Sequence, residues 1–339
     1  MVERRADPIG LVEAAYDDLP EAPWARNLLD AVLRLVPGVP AGASGGVYRV
    51  EGGGPGAAFA TTRLASSLPA DFALSSPSAG KVGTSSELRA ATSGLPARSG
   101  APGDPARGDP AARGDPDAPT HPDAFHCTAI DAEGKGLIVA SLLANPIRLD
   151  RSVKARWMLL GAHLAAAERL RRGRHLPAID ECVLSVAGRI EHAEGDAKDV
   201  RVCERLRAAA FARDKARTRA VRSDADGALA LWRPLVGGRW SIVDRFERGG
   251  RRCVVARRNE PAPATPCELS LRERQVFAHL AQGDAMKIAS YALGIDASTV
   301  SVIVRSIARK LGACAEAVQE PARDARAAVH DPVRALVGR

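Results

Sequence analysis

Basic and hydroxyl side chains recur along one side of a predicted helix near the carboxyl end of this 339-residue chain. Asp296 is the predicted N-cap of that helix, and its apolar side repeats at intervals of four, three and four residues: Val300, Val304, Ile307 and Leu311. The opposite side carries Thr299, Ser301, Val302, Arg305, Ser306 and Arg309. Hydroxyl groups at a helix start can hold phosphates, and a guanidinium can donate two hydrogen bonds to a guanine edge. The pattern therefore indicates contact with a nucleic acid.

Two shorter helical patterns precede this helix and are expected to support it. The first begins after Ser270, whose hydroxyl forms a predicted capping box with the Glu273 carboxylate, and it ends at Gly283. The second ends at Gly294, a residue type that permits the tight turn between two steeply angled helices. The layout of residues 269–311 predicts a helix-turn-helix.

The same stretch resembles the C-terminal DNA-binding domain of LuxR-type transcription regulators. It shares motif positions with that family without a gap, at Leu269, Arg272, Glu273, Arg274, Val276, Gly283, Lys287, Leu293, Gly294, Ile295, Thr299, Val300, Arg309, Lys310, Leu311 and Gly312. The resemblance implies an all-α domain that binds double-stranded DNA in the major groove as one half of a homodimer.

This resemblance and the helical pattern give a set of candidate DNA-binding residues: Lys287, Ser298, Thr299, Ser301, Val302, Arg305, Ser306, Arg309 and Lys310. Within the set, Arg305 and Ser306 are expected to read base edges. The phosphates are assigned to Lys287, Thr299, Ser301, Arg309 and Lys310.

Several positions depart from the family pattern. Met286 stands where Asn is common, and Ser301 and Ile303 replace a frequent lysine and a frequent histidine. Each missing cation removes one neutralised phosphate, which weakens binding to all sequences. An alternative therefore stays open: a protein–protein regulator in which this end, with Val302 and Ile303 exposed, no longer binds DNA well.

Composition limits the class of protein further. The net charge of +8 and pI of about 9.5 are a mild excess that suits a polyanionic partner. Six cysteines occur without a C-x-x-C pair or a neighbouring histidine cluster, which predicts no metal, no cofactor and reduced thiols in a cytoplasm. No apolar run approaches 18 residues, so the chain is expected to be cytoplasmic and without a membrane partner.

The front part predicts an α+β multidomain chain. A helix and a glycine-turned hairpin within residues 1–72, completed by 123–175, resemble a GAF- or PAS-like sensor domain. Residues 73–122, rich in Ser, Ala, Gly, Pro and Asp, are interpreted as a disordered low-complexity insertion. The helix Ser152–Arg172 has a heptad-like apolar seam, which either only closes the sensor sheet or also pairs across a dimer. Its basic end is interpreted as solvated, with Arg169, Arg171, Arg172 and Arg174.

The remaining segments complete the predicted organisation. Residues 176–259 show strands, helices and strands in the order of a degenerate PAS-like domain, 260–268 a proline-rich linker, 269–320 the helix-turn-helix domain and 321–339 a tail. Sensor-like domains imply a small-molecule or protein effector of unknown identity. Phosphate-binding glycine loops, H-E-x-x-H and G-x-S-x-G motifs are missing, so no enzymatic activity is predicted. The sequence favours a DNA-binding transcription regulator.

Overall fold

The computed structural model of the chain describes residues 7–38, 40–51, 60–68, 82–84, 123–131, 135–173, 181–246, 252–259, 269–281 and 284–317. Within these ranges, two antiparallel sheets in the front part are followed by helices at the carboxyl end. The presence of antiparallel sheets together with helices confirms the predicted α+β class.

The first unit is a five-stranded sheet with three helices. Its elements are α1 (Pro8–Tyr16), α2 (Glu21–Leu35), β1 (Pro40–Glu51), β2 (Ala60–Ser66), β3 (Val82–Thr84), β4 (Asp123–Ile130), β5 (Gly136–Leu143) and α3 (Arg151–Gly173). The strand order is β2-β1-β5-β4-β3 and all neighbours are antiparallel. Trp24 and Leu28 of α2 and Leu160 of α3 meet Phe125 and Val139 of the sheet in one core.

Strand β3 corrects the predicted insertion at residues 73–122. Val82 and Thr84 pair with Cys127 and Phe125 on β4, so the prediction of disorder is wrong for these three residues. Residues 73–81 and 85–122 lie outside the described ranges. The free edge of β4 offers unpaired backbone donors and acceptors, with which β3 pairs. The composition of residues 73–122 does not reveal this partner, because β4 lies outside that segment.

The long helix α3 closes its own sheet. The seam residues Trp157, Leu160 and Leu164 are at most 3% exposed and belong to the first core, which favours sheet closure over pairing across a dimer. The prediction of a solvated basic end is wrong for the arginines that are described. Arg171 donates to the carbonyl oxygens of two residues before α2 and lies 4.1 Å above the Trp24 ring.

The second unit is a four-stranded antiparallel sheet covered by α4. Its elements are β6 (Glu181–Ser185), β7 (Ile190–Ala193), a 3-10 helix (Gly195–Lys198), α4 (Val200–Ala216), α5 (Arg219–Arg222), α6 (Ala225–Leu231), β8 (Trp240–Phe246) and β9 (Arg252–Arg258). The strand order is β7-β6-β9-β8. Leu206 and Ala210 of α4 pack against Cys182 and Val254 of the sheet. The order of strands, helices and strands agrees with the prediction. The 3-10 helix and α5 were not predicted.

Three helices follow: α7 (Leu271–Ala281), α8 (Met286–Leu293) and α9 (Ala297–Ala317). Their core is not separate from the front part, because Ala166 of α3 and Leu235 pack together with Val276, Leu293 and Val300. No single helix in the described part of the chain is long and apolar enough to cross a membrane.

Buried hydrogen bonds join α8 to the end of α6. The Tyr291 hydroxyl donates to the carbonyl oxygen of Leu229 at 2.6 Å and approaches that of Trp232 at 3.1 Å. His163 Nε2 lies 2.8 Å from the Trp232 oxygen. Burial lowers the pKa of His163 to about 3, and the Trp232 carbonyl only partly offsets this effect. A neutral ring with the proton on Nε2 satisfies this geometry.

A second set of contacts joins α7 to the turn before β8. Arg272 and Gln275 donate to the carbonyl oxygens of Gly237 and Gly238. These hydrogen bonds hold α7 against the second unit. The helical end is therefore docked on the front part through α7 and α8.

Replacing Tyr291 with Phe tests this docking. The ring stays, but the Leu229 oxygen loses its buried donor, so we expect the free energy of unfolding to fall by about 1–2 kcal/mol. Urea denaturation followed by tryptophan fluorescence measures the change. The matched control is Tyr48→Phe, since the Tyr48 hydroxyl is buried but lies 3.5 Å from Ser66 Oγ, at the limit of a hydrogen bond. Equal losses for both variants would contradict a specific role for Tyr291.

Candidate nucleic-acid interface

The turn between α8 and α9 sets the geometry of the interface. Gly294 adopts a left-handed conformation with φ of 62°, and its N–H donates to the carbonyl oxygen of Tyr291. A Cβ at this position would collide with the Leu235 carbonyl oxygen. The two helices meet at 109°, within the usual range for a helix-turn-helix. The predicted turn at Gly294 is confirmed, and the same residue also touches the front part.

The predicted capping box at the start of α7 is confirmed. The Ser270 N–H donates to Glu273 Oε2 at 2.7 Å, and the Glu273 N–H donates to Ser270 Oγ at 3.3 Å. Two backbone donors that a helix start leaves unpaired are thus satisfied reciprocally.

Glu273 also holds α9. Its Oε1 accepts from the Ser306 hydroxyl at 2.6 Å, and its Oε2 lies 2.8 Å from Lys310 Nζ. Burial raises the pKa of the Glu273 carboxyl, but the bonds from Lys310, Ser306 and Ser270 outweigh burial and bring it to about 2. One carboxylate therefore caps α7 and fixes the position of α9 against it.

The start of α9 presents a solvent-exposed face. Ser298, Thr299 and Arg305 are exposed, and the Val302 side chain is 56% exposed. Ser301 is half-buried and donates to the carbonyl oxygen of Ala297 at 3.1 Å. Hydroxyls, one guanidinium and one branched apolar side chain thus share the outer surface of a helix whose inner stripe is buried at Val300 and Ile307.

The beginning of α8 lies beside this face. Lys287 is exposed and Met286 is 40% exposed, and Ser301 Oγ lies 4.0 Å from the Met286 sulfur. The structure therefore brings the start of α8, where Lys287 is exposed, next to the first turns of α9. This surface is called the α9 face below, and it is formed by Met286, Lys287, Ser298, Thr299, Ser301, Val302 and Arg305.

Ser306 and Lys310 are placed differently from the sequence prediction. Both side chains point to the buried Glu273 carboxylate, although Lys310 keeps 38% exposure. Ile303, which the sequence placed at the surface, packs against the helical core with Val304. These positions follow from a contact between α7 and α9, which helical periodicity alone does not locate. The side chains of Arg309 and Leu311 lie outside the described residues.

Sequence reasoning did not identify Tyr291, Arg272 and Gln275 as docking residues. Arg272 was recognised only as a position shared with the LuxR-type pattern. The residues around Gln275 and Tyr291 did not indicate that the polar groups of these side chains have partners in the front part. A tyrosine among the apolar residues of α8 is the one available hint, because a buried hydroxyl needs a partner. Among the described residues, no group of three or more His, Cys, Asp or Glu side chains is placed to hold a metal ion.

Glu273→Gln should destabilise the protein in a pH-dependent way. The wild-type carboxyl has a folded pKa of about 2 against an ordinary value of 4.5, so its ionic contribution is present above pH 4.5 and is lost as the pH falls toward 2. We expect a loss of about 2 kcal/mol at pH 7 that shrinks steadily below pH 4.5.

Urea unfolding at pH 7, 5, 4 and 3 measures this difference. Glu204→Gln is the control, because Glu204 is exposed on α4. A gap between wild type and Glu273→Gln that stays constant with pH would show that the charge on Glu273 is not what stabilises α9.

Comparison with known proteins adds one finding at this end of the chain. Residues 268–318 match the family GerE, described as bacterial regulatory proteins, luxR family. No curated protein and no solved structure matches the chain. The matched segment covers α7, α8 and α9, so the LuxR-type resemblance of the C-terminal helices is supported.

Proposed function

We propose that this chain is a DNA-binding transcription regulator that places the α9 face in the major groove of double-stranded DNA. The observation that carries the proposal is that Ser298, Thr299, Val302 and Arg305 stay exposed while α7 and α8 are docked on the front part. The LuxR-type match of residues 268–318 supports it. A helix presented in this way has the length and shape that the major groove admits.

The proposed contacts divide into positioning and reading. Lys287, Ser298, Thr299 and Ser301 hold phosphates, because they surround the first turn of α9, where hydroxyls and backbone N–H groups can approach the DNA backbone. Arg305 reads a base edge through two hydrogen bonds, with guanine as its best partner. The Arg309 contact to a phosphate remains a prediction.

Two other members of the predicted set take revised roles. Val302 contacts a thymine methyl, because its side chain is apolar and exposed on the α9 face. Ser306 and Lys310 act through Glu273 to position α9. The 38% exposure of Lys310 is compatible with a weaker phosphate contact in addition.

We further propose that the protein is a cytoplasmic homodimer on DNA. Lys287 and Arg305 are the two exposed cations of the α9 face within the described residues, and so few charges give little affinity per chain. The two antiparallel sheets with helices against them support GAF- or PAS-like sensor units. We propose that these units respond to an effector and have no enzymatic activity of their own.

A protein–protein regulator is the alternative from another class. The exposed Val302 and Met286, at 56% and 40% exposure, favour it because exposed apolar side chains on one surface can mark a protein contact surface. The partial burial of Ile303 against the helical core weakens it, since one of the two apolar side chains expected at the surface is only partly exposed.

Arg305→Ala tests base reading. Loss of a bidentate contact should lower the discrimination between a selected site and a random duplex by about 1–3 kcal/mol. A selected site is obtained by enriching random DNA with the full-length chain, and affinities are then measured by fluorescence anisotropy at one salt concentration. Arg201→Ala is the control, because Arg201 is exposed on α4 of the second unit. Parallel losses on both duplexes would assign Arg305 to phosphates.

A salt titration separates the two functions. For a DNA-binding regulator, log affinity for random duplex falls linearly with log salt concentration, and Lys287→Ala should reduce the slope by about 0.9 because one phosphate contact is removed. The control for charge alone is Lys154→Ala, a lysine on α3 outside the α9 face. Absence of binding to any duplex at low salt would refute the DNA-binding function and favour the protein–protein alternative.

A further inference from the structure

A cleft of about 280 Å³ lies where the second unit meets the first turn of α7. Its charged lining includes three arginines on three separate segments: Arg205 of α4, Arg239 of the turn before β8 and Arg272 of α7. Within the described residues, neither the first unit nor α9 contributes to it. The volume is slightly below the usual range for small-molecule sites, so the cleft fits a small ligand.

Two of these guanidinium groups approach the same point. A Cβ on Gly237 would lie 3.6 Å from Arg205 Nη1 and 3.7 Å from Arg272 Nη2, in ordinary van der Waals contact with both. Because Gly237 has no side chain, the space between the two cations stays open. Its φ of 58° also favours glycine at this position.

The carboxylates of the lining do not match these two cations. Asp196 lies 2.8 Å from Arg239, and the Asp199 carboxylate accepts from backbone N–H groups as the N-cap of α4. Arg205 and Arg272 donate instead to backbone carbonyl oxygens. Within the described residues neither of them forms an ion pair, so two positive charges meet without a counterion of the protein.

The mutual repulsion of the arginines is visible at Arg272. Burial lowers the pKa of this half-buried guanidinium, and the positive charges of Arg205 and Arg239 lower it further. An anion placed between Arg205 and Arg272 would offset this repulsion. The cleft therefore favours a negatively charged ligand.

The arrangement favours a phosphate group over a carboxylate. A phosphate monoester carries a charge close to −2 and three strong acceptor oxygens, which suits guanidinium groups that come from three segments. A carboxylate brings one charge and two oxygens in one plane. The apolar side chains of Val202 and Val236 also line the cleft and can contact a small organic body.

We propose that this cleft binds a small phosphate monoester between Arg205, Arg239 and Arg272, and that the bound ligand holds α7 against the second unit. Neither step depends on the DNA-binding function proposed above.

Calorimetry on the full-length chain at constant ionic strength tests the binding step. The probes are inorganic phosphate, glycerol 3-phosphate and ribose 5-phosphate, with succinate as a dianion that has no phosphate group. We expect saturable binding of at least one phosphate at one molecule per chain, and much weaker binding of succinate. Arg205→Ala should weaken the phosphate about tenfold, because a charged hydrogen-bond donor is lost.

Two further variants separate geometry from charge. Arg205→Lys keeps the charge but loses the planar donor pair, so it should weaken binding about threefold. Arg219→Ala should leave it unchanged, because Arg219 is exposed on α5 outside the cleft. No saturable binding of any phosphate, equal binding of succinate, or equal weakening by Arg205→Ala and Arg219→Ala would each overturn the site.

Hydrogen exchange measures whether the ligand holds α7. With the phosphate that binds, we expect slower exchange of the α7 amides in the wild type and no change in Arg205→Ala. The amides of β2 in the first unit are the internal control and should not change. Equal slowing of α7 in both proteins, or none in the wild type, would overturn the second step.

A phosphate of the DNA backbone is the other source of the same chemical group. Arg205→Ala should leave the salt dependence of binding to random duplex unchanged, since α9 does not line the cleft. A slope reduced by about 0.9, together with no binding of the small phosphates, would assign the cleft to DNA and overturn the proposal. If the wild type binds no DNA, the proposed function fails and calorimetry still decides the cleft.

Discussion

The need of carbonyl groups at the end of α6 and in the turn before β8 for hydrogen-bond donors is the constraint that joins the two halves of this protein. The last carbonyls of a helix and those of the following turn have no partner within their own element, and buried ones must find a donor elsewhere. The carbonyls of Leu229, Gly237 and Gly238 find theirs in Tyr291, Arg272 and Gln275, in that order. Removing the helical end would exchange these buried hydrogen bonds for bonds to water and would expose Ala166 and Leu235, which pack against it. The front part and the helical end therefore stabilise each other.

This constraint also decides which surface stays available. The side chains that satisfy the carbonyls lie on α7 and α8, and Gly294 allows the Leu235 carbonyl to approach the turn before α9. The face of α9 that carries Arg305 is left exposed. Docking and exposure are therefore compatible, and the helical end can be held by the front part without its outer face being covered.

Glu273 shows how one buried charge can serve two purposes. A carboxylate with 6% exposure costs free energy unless its oxygens are bonded. Here Ser270, Ser306 and Lys310 provide the donors, and they come from both ends of the three-helix arrangement. The cap of α7 and the position of α9 consequently change together, which links local helix stability to the orientation of the proposed DNA-contacting face.

The sequence by itself determined the helices α7 to α9, the capping box and the turn at Gly294, because each of these depends on residues within about four positions of one another. It also predicted most strands of both sheets from their alternation, but not β3, whose partner lies on β4. Only the tertiary structure decided that Ser306 faces Glu273, 33 positions away, and that Tyr291 meets Leu229, 62 positions away. Local patterns specify which side of a helix is polar, whereas the partner of each polar group depends on how distant segments pack.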